Sequence, residues 1–127
     1  DAHGGWIASA IDLLRFLTAV EGYPNRPQLL AAATRSTMLT PSTAQGGGGY
    51  AKGWAVNTSA GTWFHLGDFA GTITMLVRGT NGFSWALLAN SRNDESDANL
   101  NANRVDLDQL GWNILSDVLD WPSTDLF

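Results

Sequence analysis

The sequence predicts an α+β fold: an antiparallel meander of about four strands flanked by two N-terminal helices and one C-terminal helix. Three observations predict it. Apolar residues recur at helical spacing before Pro41 and again after Asp106. Between Tyr50 and Asn90 the pattern shortens to strand-like alternation punctuated by turn residues. No internal repeat and no strand–helix–strand alternation is present, which argues against a parallel sheet.

The first helix opens at Ser9-Ala10-Ile11-Asp12, an approximate capping box in which the serine hydroxyl accepts from the first turn and Asp12 reaches back. Ile11, Leu14, Leu17 and Val20, with Leu13 and Phe16, form its apolar stripe, and Gly22 and Pro24 end it. A second helix is expected from near Pro27, with Leu29, Leu30 and Ala33 on one side. It stops before Pro41, because the residue preceding a proline disfavours helical backbone. The run Gly46 to Gly49 reads as a flexible connector. A phosphate-cradling loop would need Lys-Ser or Lys-Thr next, and Tyr50-Ala51-Lys52-Gly53-Trp54 follows instead.

Strands are expected over Gly53 to Asn57 and Thr62 to Leu66, around a turn at Ser59-Ala60-Gly61. Thr72 to Arg78 alternates, with Ile73, Met75 and Val77 on one face. Asn81-Gly82 is the strongest turn signal and predicts a type I′ turn with positive φ at both residues. The next strand, Phe83 to Asn90, is apolar on both faces and is therefore expected to be central and covered. Asn90 to Asn103 is polar and reads as a solvated loop. Asp97, Asn99, Asn101 and Asp108 fall near calcium-loop spacing, but Ala102 replaces the sharp-turn glycine and Asp108 the bidentate glutamate. Leu107, Leu110, Ile114, Val118 and Trp121 then mark a closing amphipathic helix, ended by Pro122.

The 127 residues suit a single domain spanning 1–127, and 44% hydrophobic against 15% charged residues suits a folded chain with a core. No apolar run approaches the roughly 20 residues that cross a bilayer, so no membrane span is expected. The N-terminal residues lack a basic region followed by an apolar stretch, so a signal peptide is expected to be absent or to have been removed with everything upstream. Without cysteine there can be no disulfide, thiolate zinc site or cysteine nucleophile. Net charge is −5, and the seven basic residues are scattered, so no nucleic-acid partner is expected. His3 reads as solvated. It shares no helical or His-x-His spacing with His65, so neither a metal nor any other cofactor is assigned.

Four segments in order resemble the C-terminal portion of the serine β-lactamase-like family, which includes class C β-lactamases, D-alanyl-D-alanine carboxypeptidases and related esterases. Gly4-Gly5-Trp6 running into Asp12-Leu13-Leu14-Arg15-Phe16 resembles that family's Gly-Gly approach to an Asp-Leu-x-Arg-Phe helix. Gly53-Trp54 resembles its short Gly-Trp strand. Phe64-His65-Leu66-Gly67, with Gly71 four residues on, resembles its Lys/His-Thr/Ser-Gly strand, and Leu87-Leu88-Ala89-Asn90-Ser91 resembles its last strand. The resemblance implies an incomplete β-lactamase-like/transpeptidase-like fold and acyl-transfer chemistry. In that chemistry a serine attacks a carbonyl, a nearby lysine helps to take its proton, and backbone N–H groups hold the oxyanion. It also implies a periplasmic or secreted location.

By the same resemblance His65 is the catalytic-cleft residue, donating a hydrogen bond towards the substrate. Leu66, Gly67 and Asp68 are substrate-binding, with Gly67 admitting the substrate and the Asp68 N–H acting as an oxyanion donor. Two departures bear on substrate: Leu66 removes a family hydroxyl, and Asp68 adds a carboxylate where negative charge develops. Both favour an ester or unusual amide over a classical penicillin. Read apart from the resemblance, His65 is a half-buried strand histidine beside Trp63 or Phe64.

The Ser-x-x-Lys pair that such chemistry needs is absent from these residues. Lys52 is the sole lysine, and Gly49 stands three residues before it. Tyr23-Pro24-Asn25 and Ser91-Arg92-Asn93 match Tyr-x-Asn and Ser-x-Asn literally, but both follow the Gly-Gly-Trp segment and read as turns. The expectation is a C-terminal part of a serine hydrolase, inactive alone, whose partner is the N-terminal part carrying Ser-x-x-Lys. The alternatives are a non-catalytic binding or assembly module, and a small enzyme pairing His65 with Asp68. The Phe83 to Asn90 strand is expected to expose an edge suited to a homodimer.

Overall fold

The computed structural model describes residues 4–43 and 49–124, so the readings of His3 and of Gly46 to Gly48 lie outside the described residues. The elements follow the expected order: helices α1 (Ala10–Val20) and α2 (Ala32–Leu39), strands β1 (Ala55–Asn57), β2 (Thr62–Phe69), β3 (Thr72–Arg78) and β4 (Ser84–Ala89), then helix α3 (Asp97–Asp117). The strands form an open antiparallel sheet in the order β1-β2-β3-β4. This is the α+β arrangement read from the sequence. The chain divides into two compact units, Asp1–His65 with Leu76–Ala86, and Leu66–Met75 with Leu87–Phe127.

In the first unit, Leu17 and Val20 of α1 join Trp54, Trp63 and Leu76 in the core, with Leu13, Leu14, Leu30, Met38, Leu39, Val56 and Ala86 packed around them. Trp54 and Trp63 meet edge to face with centroids 4.5 Å apart, the arrangement that aromatic quadrupoles favour. The capping box at Ser9 and Asp12 is complete. Gly22 ends α1 with φ of +87°, where a side chain would also collide with the Arg35 guanidinium.

Several expectations are corrected. The second helix begins at Ala32 rather than near Pro27, because the intervening residues are used to seal the end of α1. Gln28 donates to the carbonyls of Thr18, Tyr23 and Arg26 and accepts from the Gly22 N–H, while the Leu29 N–H donates to Ala19. As expected, the helix stops before Pro41, with Thr40 extended. The first strand starts at Ala55, because Gly53 has φ of +85° and turns the chain so that the Ala51 N–H donates to Trp54. The second strand continues past Leu66 to Phe69 and turns at Gly71, so the His65 to Asp68 segment lies inside a strand.

The Asn81-Gly82 turn is real, but its type differs. Gly82 alone takes positive φ; Asn81 does not, and its side-chain oxygen accepts from the Phe83 N–H instead. With the Gly79 N–H donating to the Phe83 carbonyl, this makes a three-residue loop closed by a left-handed glycine. β4 is an edge strand, not a central one, and Leu88 remains 45% exposed. Its two apolar faces reflect composition without cover on both sides.

In the second unit, Ile73, Met75 and Leu107 are buried. α3 begins at Asp97, inside the expected polar loop. Ser96 caps it by accepting from the Asn99 N–H, and Asn103 bonds back to the Asn99 carbonyl. On a helix Asp97 and Asn101 share a face that Asn99 does not, so the three do not converge on an ion, and among the described residues no group of three or more His, Asp or Glu side chains could hold a metal. Leu107 is buried as expected, but Leu110 and Ile114 are exposed and the helix ends before Val118.

Candidate functional site

His65, Leu66, Gly67 and Asp68 are consecutive on β2, so pleating alternates their side chains: His65 shares one face with Gly67, and Leu66 shares the other with Asp68. His65 is exposed, and its Nε2 lies 3.0 Å from the Tyr50 hydroxyl. The rings meet edge to face, with centroids 6.0 Å apart and planes at 67°. The ladder brings the two residues near one another. Tyr50 bridges to Ala55, and Ala55 pairs with Phe64, the neighbour of His65. Two strand spacings, about 10 Å of backbone, separate Tyr50 from β2, a gap that the tyrosine and histidine side chains and the hydrogen bond between them span together. The Tyr50 backbone is held in turn by the Ser42 N–H, which donates to its carbonyl at 2.9 Å.

Gly67 has a local reason to be glycine. A Cβ there would run into Oγ1 of Thr74, whose hydroxyl donates to the Gly67 carbonyl at 3.4 Å. Leu66 is half-buried and carries no polar group. The Asp68 carboxylate accepts from Arg104 at 2.5 Å and pairs with Arg92 at 3.3 Å. The Arg104 bond, with help from Arg92, holds the Asp68 carboxyl below its usual range, against a smaller opposing effect of burial. Arg92 also pairs with Asp94, which accepts from the Gly71 N–H, and Arg104 donates to Asn101. The negative charge that the sequence places at Asp68 is thus met by two guanidinium groups.

The literal Tyr-x-Asn and Ser-x-Asn matches are structural. The Tyr23 hydroxyl donates to the Gly82 carbonyl at 2.9 Å, stapling the loop after α1 to the β3–β4 turn, and Asn25 has φ of +68°. Arg92 serves Asp68 and Asp94, and Asn93 accepts from the Glu95 N–H. Beside Tyr23 is a cavity of about 470 Å³ walled by Leu14, Pro24 and Phe83. Two hydroxyls on its lining, those of Thr18 and Tyr23, already donate to the backbone. Also in the first unit, buried Glu21 pairs with Arg78 at 3.3 Å; burial pushes its carboxyl up, and Arg78 pulls partly against that.

Sequence reasoning missed Tyr50, Arg92 and Arg104 as partners of the expected residues. Tyr50 is 15 residues from His65 and Arg104 is 36 from Asp68, so no local spacing announced either. Chemically, the described groups can donate hydrogen bonds and compensate charge; no serine stands one helical turn before a lysine. A family model described as Beta-lactamase matches residues 1–109. No curated protein and no solved structure matches the chain.

Proposed function

This chain belongs to the beta-lactamase family, and from that premise we propose that it is the cleft-wall portion of a serine hydrolase that acts by acyl transfer, inactive alone. The observation that supports this reading is the family match over residues 1–109 together with the lack of a Ser-x-x-Lys within residues 1–127: Lys52, the sole lysine, has Gly49 three residues before it. In this reading His65 supplies a hydrogen bond to the acyl substrate, Gly67 gives the substrate access, and the Asp68 N–H joins the oxyanion hole. Leu66 makes that wall less polar, which favours an ester or amide without the carboxylate of a classical penicillin. The Ser-x-x-Lys motif comes from a partner polypeptide, the N-terminal part of the same hydrolase, and the assembled enzyme works outside the cytoplasm.

A fluorophosphonate or fluorescent penicillin tests this directly. The chain alone is expected to take no covalent label. Mixed with the polypeptide encoded upstream, label is expected on the upstream serine. An acyl group on any side chain of residues 1–127 would overturn the proposal. A second reading, a binding or assembly module of the same fold, is favoured by one observation, the open apolar edge of β4. A natural start codon directly before Asp1 would select it over the first.

A further inference from the structure

We propose that Tyr50 is a positioning residue for His65: its hydroxyl donates to Nε2, holds the neutral ring as the Nδ1–H tautomer, and makes His65 a hydrogen-bond donor rather than a proton acceptor. This deepens the cleft-wall reading and rests on it for its functional meaning. The geometry is the 3.0 Å contact between the Tyr50 hydroxyl and Nε2, with the rings edge to face at 67°. A hydroxyl and an imidazole nitrogen can bond in two ways, with the proton on either partner.

Acidity chooses between them. A phenol O–H is a stronger donor than an imidazole N–H, and an unprotonated imidazole nitrogen is a stronger acceptor than a phenol oxygen. The better-matched bond therefore runs from Tyr50 to Nε2. The ring's own proton is then on Nδ1, to which no other described residue bonds. Tyr50 is a suitable holder, because its backbone is fixed by the bridge to Ala55 and by the Ser42 N–H, so little freedom is lost when the bond forms.

A chemical consequence follows for substrate. Nδ1–H can donate only to an acceptor oxygen, such as the carbonyl or carboxylate of an acyl compound. Nε2, occupied by Tyr50, is closed to the proton of an attacking hydroxyl. The base for the acyl step must then come from another group, and His65 serves recognition of the acceptor oxygen.

The test is nitrogen NMR of the ¹⁵N-histidine-labelled chain, in a His3→Gln background so that one imidazole is seen, in mildly alkaline buffer. The expected spectrum has a protonated Nδ1 and an unprotonated, hydrogen-bonded Nε2. Tyr50→Phe is expected to lose that pattern and give the Nε2–H or mixed spectrum of a free ring, with tryptophan emission unchanged. A wild-type ring protonated on Nε2 overturns the proposal, as does an identical spectrum in Tyr50→Phe. Should that variant not fold, the wild-type tautomer and a tyrosine hydroxyl protected from solvent exchange still decide between the two bonding patterns. The measurement uses no substrate. A failed tautomer test therefore leaves the cleft-wall reading intact, and a failed labelling test leaves the tautomer assignment intact.

Discussion

Gly67 carries two demands at once, because the segment read as a substrate approach is also where Thr74 crosses β2. Gly67→Ala is expected to cost about 1–3 kcal/mol, the usual range for overpacking, since Thr74 is β-branched and has few rotamers to yield into. Adding Thr74→Ala should recover much of that loss in urea unfolding. Asp68 makes a prediction of a different kind. Its carboxyl titrates below the usual range when folded, mainly through the Arg104 bond. Its contribution to stability is thus present above the ordinary aspartate range and lost as pH falls through the depressed value. Asp68→Asn should lower stability at neutral pH, with the gap to wild type closing in acid; parallel unfolding curves at every pH would contradict this. Glu21 has the opposite sign. Its folded carboxyl is raised by burial, so stability is fullest below the ordinary glutamate range and declines as pH rises through the raised value. Arg78→Met leaves that buried carboxylate unpaired and should cost about 3 kcal/mol, the low end for such a change. Glu21→Gln combined with Arg78→Met should be the more stable of the two variants in thermal unfolding.

Among the elements, those governed by neighbouring residues are legible in the sequence. The capping box of α1, the stop of α2 at Thr40, the Asx-closed turn after β1 and the limits of β3 all depend on contacts a few residues apart. The misread elements are those where a side chain competes with the backbone. Gln28 takes over the segment expected to begin α2, and asparagines bonded among themselves let α3 start ten residues before Leu107. Ser96 is the hinge of that second case. Ser96→Ala should cost about 1 kcal/mol, as a lost N-cap does, with helical circular dichroism falling in proportion to a frayed first turn. β4 shows the reverse error. An apolar pattern on both faces describes what a strand can bury, whereas its place in the sheet depends on which strands are there to pair.

For the molecule as a whole, that open edge bears on assembly. A strand with unpaired backbone groups and Leu88 exposed is a template for a second strand. Self-association through Phe83 to Asn90 is therefore expected in sedimentation at high concentration. Leu88→Lys should move the chain towards monomer, because an edge lysine resists strand pairing; a wild-type chain that stays monomeric throughout would exclude this interface. Membership of the beta-lactamase family and the α+β order were legible in the residue string, because both rest on motifs and periodicities carried within short windows. That residues 1–127 contain no Ser-x-x-Lys is likewise a matter of residue order alone. Folding alone revealed that Tyr50 bonds His65, that Arg92 and Arg104 neutralise Asp68, and that Thr74 demands glycine at position 67. Those contacts join residues distant along the chain, and their partners are chosen by strand register and packing, which no local pattern encodes.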